Sequence, residues 1–352
     1  MINTNIKPLV LGLAFTCFTT FSYAQIASLP EPVTNNAVAH VTTHNEQYII
    51  SFSGLGKEKD YQAVHNKVFV YRASSNTWQN APGVPIEKPV NDLTGRLASV
   101  AASIDNYAYV FGGYTVAKDH SEVSVPDVYR FDPSNLQYTK LAPMPVPVDD
   151  SIALTYKNRY IYLISGWHND GNVNLVQIYD TKTNQWQQGS PFPGKPVFGQ
   201  AGGMVDNTLV VCDGVKVDYY PVKRRGFSAE PACYKGEINE KDLTKIHWTT
   251  LKHPTGSARY RMAAMGDHSS NSIIFIGGSD NPYNYSGIGY DKVPSSPSAV
   301  LWQYNLSNNK WQMLTTAKAT MDHRGLIKFN GRYITVGGMG ENQHVLNTVN
   351  YY

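Results

Sequence analysis

The sequence predicts an all-β fold, a closed ring of six four-stranded antiparallel sheets. Three observations predict it. Apolar strands end on paired glycines in "YVFGGY" (Tyr109–Tyr114), "IFIGGS" (Ile274–Ser279) and "ITVGGM" (Ile334–Met339). Glycine marks recur at Gly54, Gly113, Gly166, Gly214, Gly278 and Gly338, close to the ~50-residue period of one repeat class. Tyrosines number 24 against 12 phenylalanines, which suits half-buried strand positions, and no long helical period occurs.

Each unit reads strand, turn, strand, glycine, loop, strand, turn, strand. The first is "AHVTTHNEQYIISFSG" followed by "KVFVYRASSNTWQNAP". The second is "RLASVAASIDNYAYVFGG" followed by "DVYRFDPSNLQYTKL", and the third "DSIALTYKNRYIYLISG" followed by "VQIYDTKTNQWQQG". The fourth, between Phe198 and Leu251, is degenerate: "TLVVCDG", "ACYKGEI" and "IHWTTL" stand for its later strands. The fifth is "RMAAMGDHSSNSIIFIGG" followed by "AVLWQYNLSNNKWQML". The sixth, "HRGLIKFNGRYITVGG", stops after its third strand, "TVNYY". The stretch "QIASLPEPV" is expected to supply the missing fourth strand, which would close the ring and remove a free sheet edge. Glycine suits the crowded strand exits because it admits positive φ and a close neighbouring backbone. No helix follows "FGGY", so a phosphate cradle is excluded there.

The pattern resembles the kelch repeat. The resemblance rests on the glycine pairs, on Tyr71, Tyr129 and Tyr179 in third strands, and on Trp78, Trp186, Trp248 and Trp311 in fourth strands. It implies a six-bladed β-propeller over residues 25–352.

The 352 residues are 42% hydrophobic and 16% charged, ample for a large core and too apolar for disorder. Net charge is +3, with no basic run beyond Lys223-Arg224-Arg225, so nucleic acid is not an expected partner. The opening "MINTNIKPLVLGLAFTCFTTFSYAQ" reads as a signal peptide over residues 1–24, cleaved after Ala24. Its apolar run is shorter than the ~20 residues a spanning helix needs, and no further span is expected. A periplasmic or secreted protein follows. Cys212 and Cys233 then remain in a compartment that permits disulfides. Cys212 ends a second strand and Cys233 begins the third beside it, so a bridge between them is expected.

Alternating strands place the approach to strand one and the loop after the glycines at one end of every blade. That end should gather Arg96, Asp149, Asp150, Gln200, Arg259, Arg261, His323 and Arg324 around the channel mouth. Arginine forks suit a carboxylate. Asp149, Asp150 and His323 are the candidate acids and bases. The competing expectation is that these Arg and Asp residues pair across the channel and lock the ring. The long loops add Tyr283 and Tyr285 for a sugar face, and Arg224, Arg225 and Glu230 for a charged lid. The ten histidines show no paired ligand spacing, so no metal or cofactor is expected.

The leader, the early "LPEP" (Leu29–Pro32) and the six units together resemble the bacterial N-acetylneuraminate epimerases, or sialic acid mutarotases. That resemblance implies interconversion of the anomers of a carboxylated sugar by an acid, a base and a cation. The family's Glu follows the fourth unit's Asn-Gly; here Val215 follows Asp213-Gly214, with Asp218, Glu230, Arg224 and Arg225 as the nearest substitutes. A non-catalytic propeller that binds a glycan or a protein through the same face is the alternative.

Overall fold

The computed structural model describes residues 25–352 except 88, 91, 223 and 224. The leader expected over 1–24 therefore lies outside the described residues, as does Arg224. Five four-stranded antiparallel sheets and one three-stranded sheet form the six blades. The first blade comprises Ala37–Thr43, Glu46–Leu55, Val64–Arg72 and Thr77–Ala81, in that spatial order. No described helix is long and apolar enough to cross a membrane.

Burial follows strand position. The second strands are packed on both faces, so Tyr160–Ile164 and Ser272–Ile276 are almost wholly buried and read as continuous apolar runs. The fourth strands are largely exposed, and three of them carry a half-buried tryptophan anchor. Trp78, Trp186 and Trp311 pack on Tyr71, Tyr179 and Tyr304 of their own blades, with ring centroids 5.4, 4.9 and 4.8 Å apart. Each of these tyrosine hydroxyls donates to an asparagine two residues before the tryptophan: Asn76, Asn184 and Asn309. Each indole N–H reaches the preceding blade, donating to the carbonyls of Ala27, Ala142 and Lys252. One aromatic pair thus fills the outer wedge and staples two blades.

That repetition shows how the ring closes. Ala142 and Lys252 directly follow their blades' fourth strands, or lie one residue beyond, and Ala27 occupies the matching place for the last blade. Ile26 and Leu29 are buried with Ile327, Phe329, Ile334, Val336 and Val349. Leu29 N–H donates to Asn347 O (2.7 Å) and Val33 N–H to Leu346 O (3.0 Å). The expected strand is nevertheless not a regular one: the last sheet has three strands. Pro30 and Pro32 carry no N–H, so the two backbone bonds cannot extend into a ladder.

Gly337 sits at this seam with φ +66°, and a Cβ there would lie 2.2 Å from the Val33 carbonyl oxygen. Gly331 has a similar φ, +78°, but nothing within 4 Å. Positive φ alone costs roughly 1–2 kcal/mol with a side chain. Gly337→Ala is therefore expected to destabilise the protein by clearly more than Gly331→Ala, because only the first also pushes the seam apart. Urea midpoints of the two variants check this, and equal losses would remove the close-approach account.

Cys212 and Cys233 form a disulfide with Cα atoms 4.1 Å apart, directly opposed in the fourth blade's ladder. It closes the loop 213–232.

Candidate functional site

The approach to strand one repeats six times with a distinctive backbone. Asn35, Ala98, Asp150, Gly199, Arg261 and Asp322 all have positive φ, between 49° and 68°. Backbone N–H groups link neighbouring blades here: Asp150 to Ala98 O (3.1 Å), Gly199 to Asp150 O (2.8 Å), Arg261 to Gly199 O (2.9 Å) and His323 to Arg261 O (3.2 Å). Asn35 N–H donates to Asp322 O, and the Asn35 side-chain oxygen accepts from Ala98 N–H (2.6 Å), completing the circuit. The result is a collar at the neck of the central channel.

Four collar side chains and Arg324 form one buried ionic network. Arg261 donates to Asp150 (2.5 Å) and to Asp322 (2.9 Å), and Arg324 lies 2.9 Å from the other Asp150 oxygen. Asp322 also accepts from Thr34, Asn35 and Tyr283. Burial alone would raise the Asp150 carboxyl, but Arg261 and Arg324 hold it below the ordinary range, so it is ionised. The locking expectation therefore describes Arg261 and Arg324. Asp150 lines the cavities on both sides of the neck, a funnel of about 930 Å³ and a channel of about 340 Å³.

One layer above the collar, six isolated bridges tie the strand-one approaches to the strand-two exits. Thr34, Leu97, Asp149, Phe198, Tyr260 and Met321 pair with Leu55, Tyr114, Trp167, Val215, Ser279 and Met339. Most of these residues form a single apolar cluster. Asp149 is the one carboxylate among the twelve, and it is 2% exposed. Ser124 Oγ donates to Asp149 Oδ2 at 2.6 Å. Ser124 and Asn169 clasp each other, the Ser124 N–H donating to Asn169 Oδ1 and the Asn169 N–H to Ser124 Oγ. Burial pushes the Asp149 carboxyl well up, Ser124 opposes this, and neighbouring Asp150 and Glu122 add to it. Asp149 thus has a proton affinity raised above the ordinary carboxyl range beside an ionised Asp150.

Glu122 comes from a short hairpin, Tyr114–Val116 with Glu122–Ser124, that leans over the funnel from the second blade. Glu122 is exposed as a residue, while its carboxyl faces the funnel beside the charges of Asp150 and Arg261. Desolvation lifts it to about 7, against the pull of Arg261. Tyr114, Trp167 and Phe198 form the apolar floor; Phe227 packs on Trp167 and Phe198, and Tyr285 and Tyr290 line the same cavity. Phe227 and Tyr290 stack with centroids 4.4 Å apart. Arg225 lies 4.9 Å over the Trp167 ring and donates to the Asp170 carbonyl. Tyr285 OH approaches His120 Nδ1 at 3.4 Å.

The structure thus brings Asp149, Asp150, Arg225, Arg261 and Tyr285 to the funnel and places the other expected residues that it describes elsewhere. Arg96 is a correction. It lies two residues before the collar position, which Ala98 holds, and is buried against the Leu93 and Gly95 carbonyls and Asp127. Arg259, also two residues short, pairs with Asp280 outside both cavities. Glu230 pairs with Lys195 and Lys216, and does not line the funnel. Gln200 faces the channel side and donates to Ile164 O. His323 does likewise; it contacts Thr320 Oγ1 at 2.5 Å, and burial lowers it to about 4, too low for an acid near neutrality. Tyr283 is fully buried beneath the funnel with its hydroxyl on Asp322. Val215 is core. Glu122 is the residue that sequence reasoning missed.

Asp213, Cys233 and His253 also converge, with ligand atoms within 4.8 Å. Their chemistry is that of a structural tie. Cys233 is in the disulfide. His253 Nδ1 accepts from the Gly256 N–H at 2.8 Å, so Nε2 carries the proton that it donates to Asp213.

The family model described as the KLHDC2/KLHL20/DRC7 Kelch-repeats domain matches residues 36–278. Kelch-like protein 15 of Homo sapiens is 22% identical over 290 residues, 82% of this chain and 45% of that protein. The chain thus spans under half the length of these kelch-like relatives. The N-acetylneuraminate epimerase of Haemophilus influenzae (strain PittEE) is 22% identical over 337 residues, 93% of this chain and 79% of the relative. The solved structure of YjhT superposes with a TM-score of 0.69 at 15% identity, covering 93% of this chain and 99% of that one. This likeness shows a shared fold.

Proposed function

The chain belongs to the kelch-repeat family, and from that premise we propose that it catalyses anomer interconversion of a sugar in the funnel. The observation that carries the reading is Asp149, a buried carboxyl of raised proton affinity in a layer that is otherwise apolar or neutral, close enough to Glu122 and Asp150 for their charges to act on it. Two groups whose environments set different proton affinities are what ring opening and closing need. In this reading Glu122, near half-ionised at neutral pH, takes the proton of the anomeric hydroxyl. Asp149 gives its proton to the ring oxygen as the C–O bond breaks. The open chain rotates, and closure on the other carbonyl face returns both protons. No net oxidation or co-reactant is involved.

The first substrate to test is a sialic-acid-type carboxylated sugar. A relative over nearly the whole chain is named for N-acetylneuraminate, and Arg225 and Lys292 line the funnel as cations for a carboxylate. Arg261 is not such a cation, because two aspartates neutralise it. Exchange NMR on N-acetylneuraminic acid should show faster anomer interconversion with protein than without. Unchanged exchange across acidic and neutral sugars would return the protein to the binding-only alternative. Export to the periplasm or beyond is part of the proposal. The Cys212–Cys233 disulfide supports it, and a mass spectrum in which residue 25 leads the mature chain is the expected result.

A further inference from the structure

We propose that the clasp of Ser124 and Asn169 positions the acid of the reaction: it commits the Ser124 hydroxyl to Asp149 Oδ2 and leaves Oδ1 as the oxygen that carries and delivers the proton. This rests on the acid–base reading of Asp149 and Glu122 above. The bonding of Ser124 fixes the assignment. Its Oγ accepts from the Asn169 N–H at 3.1 Å and lies 2.6 Å from Asp149 Oδ2. A hydroxyl has one proton to donate, and among the described residues Asp149 Oδ2 is the acceptor it reaches. The carbonyl oxygen of a carboxylic acid accepts better than its hydroxyl oxygen, so a proton on Asp149 belongs on Oδ1. Oδ1 accepts from no described residue and is not one of the fully enclosed polar atoms, on a side chain that lines the funnel.

The clasp is itself held from outside. Asn169 Oδ1 accepts from the Ser124 N–H at 3.1 Å, which turns the amide nitrogen toward His168 Nε2 at 3.4 Å. His168 Nδ1 donates to the Pro147 carbonyl at 2.6 Å, so in the neutral ring Nε2 is the acceptor. Asn169 stands at φ +46° between the short strands Trp167–His168 and Gly171–Asn172, a left-handed turn that asparagine tolerates. Ser124 and Glu122 lie two residues apart on one strand and share a face, so the clasp that pins the acid also pins the strand of the base. Neither Ser124 nor Asn169 lines the funnel, and both act through Asp149. As Oδ1 gives its proton to the ring oxygen, the bond from Ser124 strengthens on the carboxylate that forms. Ring closure returns the proton to Oδ1.

Two measurements on Ser124→Ala and Ser124→Thr test this. The first is carboxyl ¹³C NMR of aspartate-labelled protein without sugar. Ser124→Ala should move the Asp149 titration to higher pH, because the donor that favours its carboxylate is gone, and Ser124→Thr should leave it in place. The second is exchange NMR on N-acetylneuraminic acid. Ser124→Ala should lower kcat about ten- to a hundredfold with KM little changed, as misplacing a reacting group does, and Ser124→Thr should restore it. Asn169→Ala keeps the N–H on Ser124 Oγ and loses the side-chain half of the clasp. It should lower kcat by less, and it guards against a folding defect in Ser124→Ala. An Asp149 titration that does not move, or a Ser124→Ala rate equal to wild type, overturns the proposal. A titration that moves in a protein without exchange activity removes the acid–base reading and leaves the proton placement standing.

Discussion

Arg261→Ala is expected to lower stability by about 3–5 kcal/mol, the usual cost of stranding buried charges. The side chain is 2% exposed, bridges Asp150 and Asp322, and lies 4.6 Å over Tyr260 and 5.3 Å over Tyr283. Its loss leaves two carboxylates under one remaining cation, Arg324. Urea denaturation should show a lower midpoint with an unchanged slope. The pH dependence carries the sign. In the native protein the Asp150 carboxyl is held below its ordinary range, so its contribution is present above the unfolded value and fades as pH falls through the folded one. In the variant the stranded carboxylates take up protons more readily, so its deficit against wild type should shrink on acidification. A deficit that is constant from pH 7 to pH 4 would show that lost packing, not charge, is responsible.

The collar and the blades differ in how they were written in the sequence. Packing devices repeat, so the glycine exits and the Tyr–Trp staples were legible as a period. Asn76, Asn184 and Asn309 were equally available as an asparagine two residues before each tryptophan, a signal the glycine and aromatic marks overshadowed. The collar was legible in outline only. Its second-blade member is Ala98, which carries no polar mark, and the eye settles on Arg96 two residues earlier. The last blade's outer edge could be assigned from "QIASLPEPV", but its prolines deny it a ladder. The proposed acid–base site departs from the repeat. Glu122 stands on an unrepeated hairpin whose lean over the funnel no period encodes, and its raised proton affinity arises from walls contributed by several blades. Asp149 was legible as a residue but not as an exception. Its meaning comes from its being a carboxylate where the equivalent positions are Thr34, Leu97, Phe198, Tyr260 and Met321.

Asp149→Asn and Glu122→Gln are expected to slow anomer exchange by about 10²–10⁴-fold each, the usual contribution of a positioned acid or base. Both substitutions keep size and remove the exchangeable carboxyl proton. The pH profile distinguishes their roles. With Glu122 as base, wild-type exchange should climb as pH rises through about 7, and that limb should vanish in Glu122→Gln. With Asp149 as acid, activity should persist well above the ordinary carboxyl range, because burial keeps the proton in place. Stability should move the opposite way. A carboxyl whose folded proton affinity is raised stabilises the fold most at low pH and loses that contribution as pH rises through the folded value. Glu122→Gln should therefore gain in melting temperature relative to wild type between pH 5 and pH 8, and Asp149→Asn should not lose, since an amide can still accept from Ser124. A catalytic pair whose proton affinities are raised by desolvation is held at some cost to the fold, whereas a structural pair is not. If both variants melt early at pH 8 and exchange is untouched, the two carboxyls brace the funnel and the acid–base reading fails.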